Sequence, residues 1–68
     1  MGSVLTREQI DTRLKRYYES KYGEYGKDIW FEIPAANVWM FVRDERLITL
    51  RCHIVSGEVA ERAVPYEM

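Results

Sequence analysis

The sequence predicts an α+β domain: an N-terminal helix packed on a three-stranded antiparallel β-meander, with a short C-terminal helix or edge strand. Three observations predict it. Residues 7–22 carry apolar side chains at helical spacing behind a capping signal. Residues 28–55 hold β-branched and aromatic runs cut by turn residues. Residues 58–64 form one further short apolar segment that fits either period.

Thr6 reads as the helix N-cap, and Gln9 three residues on completes a capping box. Leu5 and Ile10 flank the cap as a hydrophobic staple. Ile10, Leu14, Tyr17, Tyr18 and Tyr22 then form the apolar stripe, and Gly23 supplies a left-handed stop. Gly23 to Gly26 is a loop. The first strand is expected at Asp28–Ile33, and Pro34 opens a turn through Asn37. Val38–Arg43 is the second strand and Asp44-Glu45 a tight turn. The third strand is expected over Arg46–Val55, broken by Ser56-Gly57. The last segment, Glu58 to Val64, ends at Pro65. The whole chain reads as one domain, with residues 1–5 and 65–68 as flexible ends.

Turn lengths fix which residues share a face. A two-residue turn at 44–45 sets Val42 opposite Leu47 and Phe41 opposite Ile48. A four-residue turn at 34–37 sets Ile33 opposite Val38 and Phe31 opposite Met40. One face then carries Trp30, Trp39, Phe41, Ile48, Leu50, Cys52 and Ile54. The other carries Ile29, Phe31, Ile33, Val38, Met40, Val42 and Leu47, then Thr49, Arg51 and His53. A half-exposed sheet reads polar on its outer face, and this one does not. A 16-residue helix is about 24 Å long and blankets one face of a small sheet. Either a C-terminal helix covers the second face, or a partner does.

Size points the same way. A domain of 68 residues buries roughly 60% of the surface its unfolded chain exposes, and such domains lean on disulfides, metals or oligomerisation. One cysteine, Cys52, rules out an intrachain disulfide, and one histidine, His53, rules out a Cys/His zinc cluster. A homodimer or another protein is therefore the expected partner. The interface residues are expected to be Phe31, Val38, Met40, Arg51 and His53.

Catalysis is not expected, and neither a cofactor nor a metal nor a small-molecule substrate is indicated. Cys52 lies between Leu50 and Ile54 on an apolar face, with His53 on the opposite one, so no nucleophile–base pair forms. Carboxylates adjoin only in the Asp44-Glu45 turn. No phosphate-cradling glycine loop or Ser-centred elbow occurs. A single-stranded nucleic-acid module is the alternative reading, with Trp30, Trp39 and Tyr18 stacking bases and Arg16 meeting phosphate. A pI near 5.8 and a net charge of −1 oppose it. Charge is split, with +2 over residues 1–27 and −3 over residues 28–68, which suits orientation of a partner rather than a nucleic-acid footprint. No apolar run approaches the ~20 residues that span a bilayer. Met1-Gly2 with Thr6 matches the short N-myristoylation pattern, which is too loose to carry that assignment. The unpaired cysteine fits a cytoplasmic location.

Asp28-Ile29-Trp30, Val38-Trp39-Met40-Phe41-Val42, Leu47 and Leu50-Arg51 resemble the first half of a YbjN-type domain, over about residues 8–55. That family is similar in fold to type III secretion chaperones. The resemblance implies a noncatalytic, chaperone-like or regulatory protein-binding role and carries no catalytic residues. The family's domain continues into further helix, which this sequence does not show. A compact inhibitor or regulator of the sort phages encode is a further reading that the size and the apolar face allow.

Overall fold

The structure, a computed structural model, describes residues 3–24 and 29–66, with backbone alone for Ile29 and Trp30. Asp28, Tyr25 and Gly26, the Met1-Gly2 pair and residues 67–68 lie outside the described residues. Among the described residues the fold is α+β, one α-helix on an open four-stranded antiparallel sheet.

Helix α1 spans Arg7–Tyr22, as its cap signals require. The Gln9 amide donates to Thr6 Oγ1 at 3.1 Å, and the Thr6 amide donates to Gln9 Oε1 at 2.9 Å. Two helix-end donors are thereby satisfied. Gly23 ends the helix with φ +100° and ψ −147°, a positive φ as expected but outside the left-handed helical region. Ile10, Leu14 and Tyr18 are buried, so the helical stripe is the core face.

Strands β1 (Ile29–Ile33), β2 (Val38–Arg43), β3 (Arg46–Cys52) and β4 (Val59–Pro65) pair in sequence order, so β1 and β4 are the edges. All four pairings read from the turn lengths are present: Ile33 with Val38, Phe31 with Met40, Val42 with Leu47 and Phe41 with Ile48. Pro34–Ala36 make one 3₁₀ turn, closed by Asn37 in the left-handed region, and the Asn37 carbonyl accepts from the Cys52 amide at 3.1 Å. Asp44 and Glu45 both take positive φ, 52° and 62°, which is the two-residue turn whose twist matches antiparallel strands.

One expectation is corrected, and one of the two alternatives for the tail is decided. The third strand stops at Cys52, not Val55, because His53 closes a turn. Its Nδ1 accepts from the amides of Val55 and Ser56 at 3.3 and 3.2 Å, and Gly57, at φ +78°, donates to the His53 carbonyl. Ile54 therefore leaves the sheet face and is exposed. The segment after the turn is the edge strand β4, not a helix. Val59, Glu61 and Ala63 alternate against β3 with Ala60, Arg62 and Val64. The tail widens the second face instead of covering it.

The ends are tied further out than expected. The Leu5 amide donates to the Ile54 carbonyl at 2.7 Å, and Leu5 packs on the core. Pro65 belongs to β4, and the Tyr66 amide reaches the Glu45 carbonyl at 2.9 Å.

The core lies between helix and sheet. Ile10, Leu14 and Tyr18 pack with Trp39, Phe41, Ile48, Leu50 and Cys52. Tyr18 and Tyr22 each set an edge against Phe41, with ring centroids 5.1 Å apart. Full burial of one such ring contributes about 2–3 kcal/mol, and its edge-to-face contacts add to that.

An L-residue held at positive φ costs about 1 kcal/mol or more. Glu45→Gly should therefore raise stability by about 0.5–1 kcal/mol, read as a higher urea midpoint with an unchanged slope. A lowered midpoint would show that the Glu45 side chain holds the turn.

Candidate functional site: the open face of the sheet

Register divides the sheet into two faces. The helix face holds Glu32, Trp39, Phe41, Arg43, Arg46, Ile48, Leu50, Cys52, Val59, Glu61 and Ala63. The other holds Phe31 and Ile33, then Val38, Met40 and Val42, then Leu47, Thr49 and Arg51, then Ala60, Arg62 and Val64. No helix lies on this second face among the described residues. Phe31 is 54% exposed and Ile33 43%, while Met40, Val42, Leu47 and Val64 are half-buried by their neighbours alone.

The expected interface residues divide. Phe31, Met40 and Arg51 stand on the open face and reach solvent. Val38 stands there too but is only 4% exposed, closed in beside the 3₁₀ turn with Ile33 and Arg51 across from it. It supports the face and offers little surface. His53 is exposed but belongs to the β3–β4 turn, where its ring nitrogen holds the loop amides. The residues the sequence reading missed are Ala60, Arg62 and Val64. Period-two alternation from Val59 would have found them.

The face has a polar side. Arg51 and Arg62 are exposed and diagonal across β3 and β4, since Arg62 opposes Thr49 and Arg51 opposes Ala60. Neither is in an ion pair among the described residues. Every carboxylate within the described strands, Glu32 and Glu61, projects from the helix face. The open face is thus an apolar strip over β1 and β2 bordered by two cations and no anion.

The stacking set for nucleic acid fares differently. Tyr18 is fully buried and Trp39 is 5% exposed, both in the helix–sheet core, so neither ring is open to a base. The Trp30 side chain lies outside the described residues. Arg16 is exposed, on the helix surface near Arg13 and Tyr17.

A titratable cluster sits on the helix side. Glu61 of β4 accepts from the Tyr17 hydroxyl at 2.7 Å, from Lys21 Nζ at 2.8 Å and from the Tyr22 hydroxyl. Burial pushes the Glu61 carboxyl up, but the hydrogen bonds from Lys21, Tyr22 and Tyr17 outweigh it and hold it below its ordinary value. Burial, then the bond to Glu61, raises the Tyr22 phenol; the bond to Glu61, then burial, raises Tyr17. Arg43 adds a 2.8 Å bond to the Tyr22 carbonyl and lies 5.4 Å from that ring. The carboxylate is met by three donors, so the cluster clamps helix to edge strand. The Cys52 thiol is buried and held above its ordinary value by that burial, which suits a core residue.

A groove of about 570 Å³ runs between the helix and β1 and is lined by Arg7, Glu8, Asp11, Lys15, Glu32 and Trp39. Five charged side chains of both signs line it, with no convergent polar set of the kind that fixes a small ligand. Among the described residues no group of three His, Cys, Asp or Glu is placed to hold a metal ion. No described helix is long and apolar enough to cross a membrane. Comparison with family models, curated proteins and solved structures finds no match for this chain.

The Glu61 clamp predicts two pH limbs. A carboxyl held low contributes fully above its ordinary value of 4.5 and loses that contribution as pH falls through its folded value. A phenol held high contributes fully below its ordinary value of 10.0 and loses it as pH rises towards its folded value. Glu61→Ala should cost about 2 kcal/mol at neutral pH and flatten both limbs in urea midpoints taken across pH. Unchanged limbs would show that other groups set them.

Proposed function

We propose that this chain is a noncatalytic protein-interaction module whose working surface is the open face of the sheet. The observation that carries the reading is the uncovered apolar strip of Phe31, Ile33, Met40 and Val42 beside the unpaired Arg51 and Arg62. A contiguous exposed apolar area on a small domain marks an interface. Aromatic, Met and Arg side chains are the types that anchor one. The YbjN-type resemblance of the hairpin residues supports a chaperone-like or regulatory role of this kind.

Charge selects the occupant. A second copy laid face to face would set arginines and apolar side chains against the same groups, with no carboxylate to meet the cations. A segment of another protein with apolar residues flanked by Asp or Glu satisfies both halves of the face. The nucleic-acid reading has less support, because Tyr18 and Trp39 are core residues and the overall charge is negative.

Peptide display against the full chain should enrich sequences that alternate or flank apolar residues with Asp and Glu. Binding of the selected peptides should weaken at least tenfold, about 1.4 kcal/mol, in Met40→Asp and in Arg51→Glu/Arg62→Glu, with fold retained by circular dichroism. Equal binding by both variants would refute the assignment of the face. A low-salt gel shift with single-stranded oligonucleotides that is lost in Arg16→Glu, with no peptide enriched, would favour the nucleic-acid reading.

A further inference from the structure

The two edges of the sheet are built differently. The outer strand β4 carries Glu61 and Arg62 and ends in Pro65, the charges and proline that blunt an edge against further pairing. The other edge, β1, reads Ile-Trp-Phe-Glu-Ile, with no proline, no lysine and a single charge. Its outer backbone groups have no strand beside them among the described residues. The helix does not shield them either. Its backbone runs closest to β3 and β4, and the 570 Å³ groove separates it from Glu32 of β1. An unguarded strand edge is a template for another strand.

We infer that β1 pairs antiparallel with β1 of a second copy, about a two-fold axis through Phe31, to make one continuous eight-stranded sheet. The strand is self-complementary in that register. Ile29 meets Ile33 of the second copy and Phe31 meets Phe31, all at open-face positions. Trp30 meets Glu32 at helix-face positions. All five residues pair, and both helices stay on one side of the joined sheet. Sliding the register by two residues in one direction sets Glu32 against Glu32, a like-charge pair directly opposite. Sliding it in the other direction leaves Ile33 unpaired. A slip of one residue would turn the open face of one copy to the helix side of the other. The pattern of the strand thus selects a second copy of this chain over a generic strand, and selects one alignment of it.

This goes beyond the protein-binding reading and concerns the strand edge, which shares Phe31 and Ile33 with the open face. Edge pairing leaves Met40, Val42, Arg51 and Arg62 free and joins the two apolar strips into one, flanked by arginines at both outer ends. Met40→Asp and Arg51→Glu/Arg62→Glu therefore report on the face alone, and recovery of self-pairing at residue 31 reports on the edge.

The test is solution mass by light scattering over a concentration series, using the wild type, Phe31→Lys, Phe31→Asp and their equimolar mixture. Phe31 is more than half exposed, so both variants should keep the fold by circular dichroism. The wild-type mass should rise from 8.1 kDa towards twice that value. Each single variant should stay monomeric at concentrations at least about tenfold higher, because like charges meet at the axis. The mixture should recover the doubled mass, since Lys then faces Asp across the two-fold. Such recovery is the signature of residue 31 meeting itself. Should either charged variant unfold, Phe31→Cys replaces it and should form an intermolecular disulfide in oxidised glutathione, where the wild type with its buried Cys52 does not. A wild type that is monomeric to about 1 mM overturns the inference. A dimer indifferent to Phe31→Lys, or one broken by Met40→Asp instead, also overturns it and points to face-to-face assembly.

Discussion

One helix must serve a sheet with two apolar faces, and most of the molecule follows from that. With its side chains a helix is roughly 10 Å across, while neighbouring strands lie about 4.8 Å apart, so one helix shelters two or three strands on one side. Here α1 lies nearest β3 and β4. The core forms beneath it, from Tyr18 and Leu14 against Phe41 and Leu50. Everything outside that footprint, the second face and the β1 edge, is left to other means. The C-terminal segment adds area to the problem by pairing as a fourth strand.

The helix is held in place by polar groups at its flanks. Glu61 gathers Tyr17, Lys21 and Tyr22 near the C-terminal turn. Arg13 reaches the Gly57 carbonyl at 3.4 Å, and Arg7 reaches that of Pro34 at 2.7 Å. These contacts meet groups on the turns and the edge strand, so the helix is fastened around its perimeter as well as through its apolar stripe. A carboxylate with three donors on the helix side is a satisfied structural group. The two arginines on the open face have no such partner among the described residues, and that contrast separates the part of the charge pattern that holds the fold from the part available to another molecule.

How much of this was legible depends on the range of the cause. The capping box, the 44–45 turn and the strand registers are set within a few residues, and the sequence carried them. The segment 59–64 was ambiguous because Val59, Ala60, Ala63 and Val64 satisfy a helical stripe while Val59, Glu61 and Ala63 alternate as a strand. Pairing with β3, a tertiary event, decided it. His53 was misplaced because a histidine can continue a strand or cap a turn, and only its bonds to Val55 and Ser56 show which. Glu61 was invisible as a clamp, since its partner Tyr17 lies 44 residues away. For the candidate site, the apolar half was readable from alternation, and the cationic half required β4 to be a strand.

The sequential strand order also has a kinetic consequence. Each strand pairs with its neighbour in the chain across a short turn, so the meander is assembled from local contacts, which form fast. The contacts between α1 and β4 close a much longer loop and meet a higher entropic barrier. A sheet formed ahead of helix docking would show two bare apolar faces to solvent at once. A chain in that state would be open to misassembly until the helix docks and Tyr17 and Tyr22 reach Glu61.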